Sequence, residues 1–190
     1  MSTCDDAPPR PQMVLRDLFA GAALAATSEA LERAALRARD LGFVVLQLGI
    51  QPRSDASELA KFHAAIALQC VRHGNPMAPT AIISGGPLYE KNSLATQADF
   101  LLALALALDE HRAIYAFACG PSVTTGESTG FSVQIGPDTL ARARQLRIDV
   151  AQRLAAGEAK SVFELLGDCE HLAIAVAQTS VLRAILITQH

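Results

Sequence analysis

The sequence contains no tryptophan, two tyrosines and an aromatic fraction of only 5%. It also lacks an excess of basic residues, since its formal net charge is -3 and its pI is about 5.9. Proteins that bind nucleic acid or anionic membranes through electrostatics carry a basic surface. The composition therefore favours neither nucleic acid nor a membrane as a partner, and it is not typical of an aromatic-rich binding sheet.

Long apolar runs and paired cysteines are missing as well. The longest apolar block, residues 100–108, is too short to span a bilayer, and the N-terminus lacks the basic start and apolar centre of a secretory signal. The four cysteines are far apart and include no C-x-x-C pair, so the sequence predicts neither a zinc cluster nor a redox motif, and no metal site. A cytoplasmic location is expected.

Alanine and leucine are abundant, and the hydrophobic fraction reaches 51%. Short apolar runs alternate with segments of helical periodicity, which predicts an α/β fold with a layered parallel or mixed β-sheet covered by helices on both faces. Residues 1–12 contain three prolines and few apolar groups, so they are predicted to be a disordered leader to a single domain at 13–190.

The apolar runs and helical patterns set the expected elements. A helical region is predicted at 15–40, with a second helix after a cap at Ser54 or Asp55. Buried strands are expected at 43–48, 80–83, 113–118, 172–177 and 184–187, and a short strand with alternating faces at 131–135. Further helices are expected at 99–108, 137–146, 149–154 and 161–166.

The segment 80–110 is the most informative for function. A buried strand ends in Ser84, Gly85 and Gly86, and a polar loop then leads to an Ala/Leu helix. Strand, glycine loop and helix is an arrangement that can turn backbone N–H groups toward an anion, with Lys91 as a nearby cation. The alternative is that the glycines only let the chain leave the strand sharply.

A second polar loop, at 122–130, carries Thr124 and Thr125, which could donate hydrogen bonds to a polar ligand or simply be solvated. Arginines 142, 144 and 147 on the predicted helix 137–146 fit a solvated face or the rim of a cleft. His63 and His73 have no acidic or cysteine partner at ligand spacing, which favours a surface or core-edge position over metal binding.

Four segments occur in the order and at the spacing of four motifs of one family. Those motifs are a strand with S-G-G-E, a loop G-R-G-G-R-N-Q-E leading into an Ala/Leu helix, a helix start D-G-x-T-x-x-R-A, and a turn F-F-x-x-L-G-D. The matching segments are 82–86, Gln97 with the following helix, 136–143 and 163–168. On these residues, the sequence from about 24 to 190 resembles the C-terminal MOFRL domain of the glycerate 2-kinase family, many of whose members are named hydroxypyruvate reductase.

The sequence departs from the family where charged groups are expected. Pro87 stands in place of the glutamate of S-G-G-E, and the stretch 91–98 keeps only Gln97 of the glycine and arginine loop. The stretch 120–130 has lost the aspartates of the family's G-T-D-G-x-D-G-P-T-D-A-A-G, and 174–183 differs from T-G-P-T-G-T-N-V-N-D-L. Phosphoryl transfer depends on such charges and on magnesium.

The resemblance therefore implies a MOFRL-like domain that is catalytically degenerate and retained to bind a small anion or a protein. The alternative is a residual glycerate kinase, transferring phosphate from ATP to glycerate and completed by a partner chain. No cofactor is expected unless that alternative holds, when ATP and magnesium would be needed. No G-x-G-x-x-G follows a predicted strand, so NAD binding is not predicted.

No catalytic residue is assigned. The expected ligand is a small phosphorylated or carboxylate molecule. The expected protein partner is either another copy of this chain, in a homo-oligomer, or a different partner chain. The candidate ligand-binding residues are Ser84, Gly85, Gly86, Lys91, Gln97, Thr124 and Thr125.

Overall fold

The computed structural model describes residues 11–20, 27–89, 97–121, 130–172 and 181–189. Its helices are α1 (Pro11–Ala20), α2 (Thr27–Asp40), α3 (Ala56–His73), α4 (Gln97–Leu108), α5 (Thr139–Gln145), α6 (Val150–Ala155) and α7 (Ala159–Leu166). Its strands are β1 (Val44–Ile50), β2 (Ser54–Asp55), β3 (Thr80–Gly85), β4 (Leu88–Tyr89), β5 (Ile114–Pro121), β6 (Gly130–Ile135), β7 (Cys169–Leu172) and β8 (Leu182–Ile187).

Six of these strands form one mixed sheet in the order β1-β3-β8-β5-β6-β7. The pair β1 and β3 is parallel, whereas every other neighbouring pair in this sheet is antiparallel. The short strands β2 and β4 form a separate parallel pair. The predicted α/β class with a parallel or mixed sheet is confirmed, and the mixed form is the one observed.

Helices cover both faces of the sheet. Successive side chains of a strand point to opposite faces, so one strand contributes to a core on each side. On β3, Ile82 packs in a core with α3 to α7, while Ala81 and Ile83 pack in a second core with α1 and α2. The helix α4 has its Leu/Ala block buried on nearly all sides, with Leu101, Leu102 and Leu104 fully buried. The expected cover of helices on both faces is thus present.

Local chemistry explains both ends of α3. The predicted cap Asp55 accepts a hydrogen bond from the Glu58 N–H at the start of α3, and Gly74 ends that helix in the left-handed region. The first helix begins at Pro11, inside the segment expected to be a leader, and residues 1–10 lie outside the described residues. Most of the apolar run expected as a strand at 172–177 also lies outside them.

Two of the motif matches contact each other. The Arg142 guanidinium forms ion pairs with Asp168 and Asp138, and it donates a hydrogen bond to the carbonyl of Leu166 at 3.0 Å. Arg142 is therefore a half-buried anchor between α5 and the turn after α7, while Arg144 and Arg147 are exposed. Among the described helices, none combines the length and the apolar character needed to cross a membrane.

Candidate functional site

The carboxyl ends of β3 and β5 and the start of β8 lie side by side at the same end of the sheet's strands. This follows from the order of the strands, because β8 lies between β3 and β5 and is antiparallel to both. The N-terminus of α4 lies at the same end of the strands, where a Cβ on Gly120 of β5 would come within 3.2 Å of the Gln97 side chain. Three elements that are distant in sequence thus converge on a small volume.

Arg183, the second residue of β8, occupies the centre of this volume and is only 1% exposed. Its Nε donates to the Ser84 hydroxyl oxygen at 3.3 Å. Its Nη1 donates to the carbonyl of Gly86 at 3.1 Å and to Gln97 Oε1 at 3.3 Å. The Phe100 ring lies 5.2 Å from the guanidinium carbon, within the range of a cation–π contact.

The charge of Arg183 is poorly compensated. Among the described residues, its buried Nη2 has no hydrogen-bond partner, and no carboxylate forms an ion pair with the guanidinium. Burial lowers the pKa of Arg183 to about 10, so the side chain remains a cation at neutral pH. Buried charges are normally paired, which makes an uncompensated one a candidate binding group.

His63 supports Ser84 from the α3 side. Its Nδ1 lies 2.8 Å from the Leu59 carbonyl oxygen and its Nε2 lies 2.9 Å from Ser84 Oγ. A carbonyl oxygen can only accept, so Nδ1 carries the proton and Nε2 accepts one from the Ser84 hydroxyl. The Ser84 proton is therefore committed to His63, and the Ser84 oxygen accepts from Arg183.

The protonation of His63 is opposed by its surroundings. The pKa of His63 is lowered to about 4, chiefly by burial; the bond to the Leu59 carbonyl acts in the opposite direction, and the Arg183 charge acts in the same direction as burial. The ring also makes an edge contact with Phe100, at 5.3 Å between centroids. At neutral pH the histidine is neutral and completes a fixed chain from Leu59 through Ser84 to Arg183.

We expect this histidine to make the protein less stable in mild acid. The unfolded chain takes up a proton near the ordinary value of 6.5, whereas the folded chain does so near 4, so stability is complete above pH 6.5 and falls as the pH decreases to 4. The loss is about 3 kcal/mol at most. Urea denaturation from pH 4 to 8 measures it. His63→Gln should remove this part of the pH dependence, while the exposed His73→Gln should retain it.

Close packing explains why Gly85 and Gly86 are glycines rather than larger residues. A Cβ on Gly85 would lie 2.6 Å from the Val181 carbonyl oxygen, and one on Gly86 would lie 2.3 Å from the Gln51 carbonyl oxygen. Gly86 also has φ of +113°, a conformation that other residues rarely adopt. Close backbone packing therefore gives a reason for glycine at both positions that does not require a ligand.

The structure brings Ser84, Gly86 and Gln97 together around Arg183, while Gly85 packs beside them. Lys91, Thr124 and Thr125 lie outside the described residues. Sequence reasoning missed Arg183, and it placed His63 at the surface or core edge, which is wrong because the ring is 1% exposed. A signal for Arg183 existed, since it is a single charge in the otherwise apolar strand β8.

A polar cavity of about 250 Å³ lies at the end of β6 away from Arg183. Its walls include Gln12, Gln134, Asp138, Arg142 and Asp168. Burial raises the pKa of Asp168, although its hydrogen bond to Arg142 acts in the opposite direction. Across the described residues, no group of three or more histidine, cysteine, aspartate or glutamate side chains could hold a metal ion.

Comparison with known proteins gives related sequences. The chain is 33% identical over 171 residues to an Agrobacterium vitis protein named as a hydroxypyruvate reductase, and 29% identical over 171 residues to another protein of that name from the same organism. These alignments cover 86% of this chain but 39% and 44% of the two relatives. The chain thus spans about two fifths of the length of the curated relatives it matches. No family model matches the sequence.

Solved structures share the fold. Glycerate kinase from Thermotoga maritima superposes with a TM-score of 0.75 at 18% identity, over 86% of this chain and 41% of that protein. The PH0495 protein from Pyrococcus horikoshii gives a TM-score of 0.69 at 19% identity, over 87% of this chain and 39% of that protein. At these identities the superpositions establish the fold alone.

Proposed function

We propose that this chain, which is related to the glycerate kinase and hydroxypyruvate reductase family, is a MOFRL-like domain that binds a small anion and does not catalyse phosphoryl transfer. The observation that carries the proposal is the buried guanidinium of Arg183, whose Nη2 has no partner in the part of the chain that the structure describes. The ligand is a small carboxylate or phosphorylated molecule. Its negative charge would supply the compensation that the described part of the fold does not.

The energetic cost of Arg183 supports a binding role. An uncompensated buried charge lowers stability by several kcal/mol, and the hydrogen bonds that Arg183 makes are long, at 3.1 to 3.3 Å. Proteins tolerate such local conflicts mainly at functional sites. A purely structural role would be filled better by an apolar side chain of the same length.

The pattern of retained and altered residues supports the absence of catalysis. Arg142 and Asp168, which match the family, form an ion pair that holds two elements together and so have a structural role. Close in sequence to Gly86, which contacts Arg183, the exposed Pro87 stands where the family's S-G-G-E motif has a glutamate. Magnesium requires oxygen ligands such as carboxylates, and phosphoryl transfer requires magnesium. The altered charges thus remove what catalysis depends on.

Thermal denaturation with added ligands tests the proposal. The ligands are glycerate, acetate, inorganic phosphate and ATP, each with and without magnesium. A ligand at 100 times its Kd stabilises the folded protein by about 2.7 kcal/mol, so binding raises the Tm. We expect one or more small anions to raise it in the unaltered protein. Arg183→Met should abolish this rise, and Arg72→Met, a change at an exposed arginine of α3, should preserve it.

A rise in Tm that persists in Arg183→Met would place anion binding elsewhere and contradict the proposal. No rise with any small anion would also contradict it and would favour retention for protein binding alone. Turnover of ATP with glycerate, measured by ADP release, would contradict the absence of catalysis.

One observation favours a second candidate, a residual kinase completed by a partner chain. The chain spans about two fifths of its relatives, and the solved relative named glycerate kinase is longer by a similar factor. In that case ATP and magnesium would be required. ADP release that appears only when a partner chain is added to the purified protein would support this candidate.

A further inference from the structure

We infer that the Arg183 site selects an anion with a single negative charge, bound by Arg183 Nη2 and the side-chain amide nitrogen of Gln97. The inference rests on the proposed anion-binding function and adds its charge selectivity and its donors. It follows from a count of charges and a count of available protons at the site.

Among the described residues at the site, the charge count gives one positive charge. Arg183 contributes it, His63 is neutral at neutral pH, and the other groups at the guanidinium are the uncharged Ser84, Gly86 and Phe100. Among the described residues, the first turn of α4 carries one carboxylate, Asp99, which is buried and has an interaction of its own. Burial is the cause of the lowered pKa of Arg183.

A monoanion would therefore make the site neutral, while a dianion would leave one negative charge uncompensated. Inside a desolvated site an uncompensated charge is strongly unfavourable, because the interior replaces water with a medium of low dielectric constant. Charge selectivity follows from the burial of Arg183, which is 1% exposed.

Among the described side chains, a count of protons identifies the donors. Ser84 donates its proton to His63, and Gly86 presents a carbonyl oxygen, so neither donates to a ligand through these groups. The N–H groups of Arg183 Nε and Nη1 are used within the protein, which leaves the two on Nη2. Gln97 accepts through Oε1, and no described hydrogen bond uses its amide nitrogen. Ser84, predicted as a ligand contact, is here a positioning residue.

Calorimetric titration of the full chain tests the charge selectivity with inorganic phosphate and acetate. Phosphate is mostly a monoanion at pH 5.5 and a dianion at pH 8.5, whereas acetate carries one charge at pH 8.5 and most of one at pH 5.5. We expect phosphate to bind about tenfold more tightly at pH 5.5, and acetate to change less than threefold. Tighter binding of phosphate at pH 8.5, dependent on Arg183, would overturn the inference and leave the proposed function standing.

Gln97→Glu provides an independent test. The new carboxylate would lie where Oε1 accepts from Arg183, and it would act as an internal counter-ion that competes with the ligand. We expect acetate affinity to fall at least tenfold while the Tm stays equal or rises. The neutral Gln97→Met should lose less affinity than Gln97→Glu. Equal losses in the two variants would contradict charge matching, and no Arg183-dependent binding in the unaltered protein would contradict the proposed function itself.

Discussion

Gly86→Ala is expected to lower the free energy of unfolding by about 3 kcal/mol or more. Alanine at φ of +113° is strained, and its Cβ would lie 2.3 Å from the Gln51 carbonyl oxygen, which belongs to backbone and cannot rotate away. Either the turn after β3 moves or the fold bears the strain, and both displace the carbonyl that accepts from Arg183. Urea denaturation measures the change.

Gly157→Ala is the matched control for this substitution. Gly157 also has positive φ, of +72°, but no atom lies within 4 Å of a Cβ built there. We expect it to cost about 1 kcal/mol, as for a residue in the left-handed region without a clash. Equal losses in the two variants would show that the close approach to Gln51 has no energetic effect.

Phe100→Ala is expected to lower the free energy of unfolding by about 3 to 5 kcal/mol. The ring is fully buried in α4 and lies between His63 and Arg183. Its removal leaves a cavity beside a buried cation and takes away the aromatic face that the cation contacts. The unfolding midpoint and slope in urea give the value.

Two further variants separate the contributions of Phe100. Phe100→Leu restores most of the apolar volume but not the ring, so the loss that remains reports the contacts with His63 and Arg183. Phe62→Ala on α3 removes a ring that also contacts His63 edge-on but is 54% exposed, and it should cost less than 1 kcal/mol. A comparable loss at both phenylalanines would contradict the central packing role of Phe100.

Much of the fold could be predicted from local patterns. The apolar run of β3 and the Ala/Leu block of α4 are long and regular enough to identify by period and composition. The Asp55 cap was predictable because its hydrogen bond spans three residues. The relationship to the glycerate kinase and hydroxypyruvate reductase family is confirmed by related sequences and shared fold.

The candidate site was predictable only in part. Ser84, Gly86 and Gln97 lie close together in sequence and also in space, so one motif reveals all three. Arg183 lies 99 residues beyond Ser84 and reaches it only because β8 pairs antiparallel with β3 in a register that opposes the two residues. His63 reaches Ser84 from the neighbouring helix across 21 residues. No short-range pattern contains such distances.

The sequence by itself determined the α/β class, the order of most helices and strands, and a glycine turn after a buried strand, because these depend on residues within a few positions of one another. Only the tertiary structure decided the role of that turn. Strand pairing and helix packing bring a buried cation and a neutral histidine to Ser84, and they commit its hydroxyl proton to His63. Burial then leaves an ordinary arginine without a counter-charge among the described residues, a property that depends on its surroundings and is absent from the sequence alone.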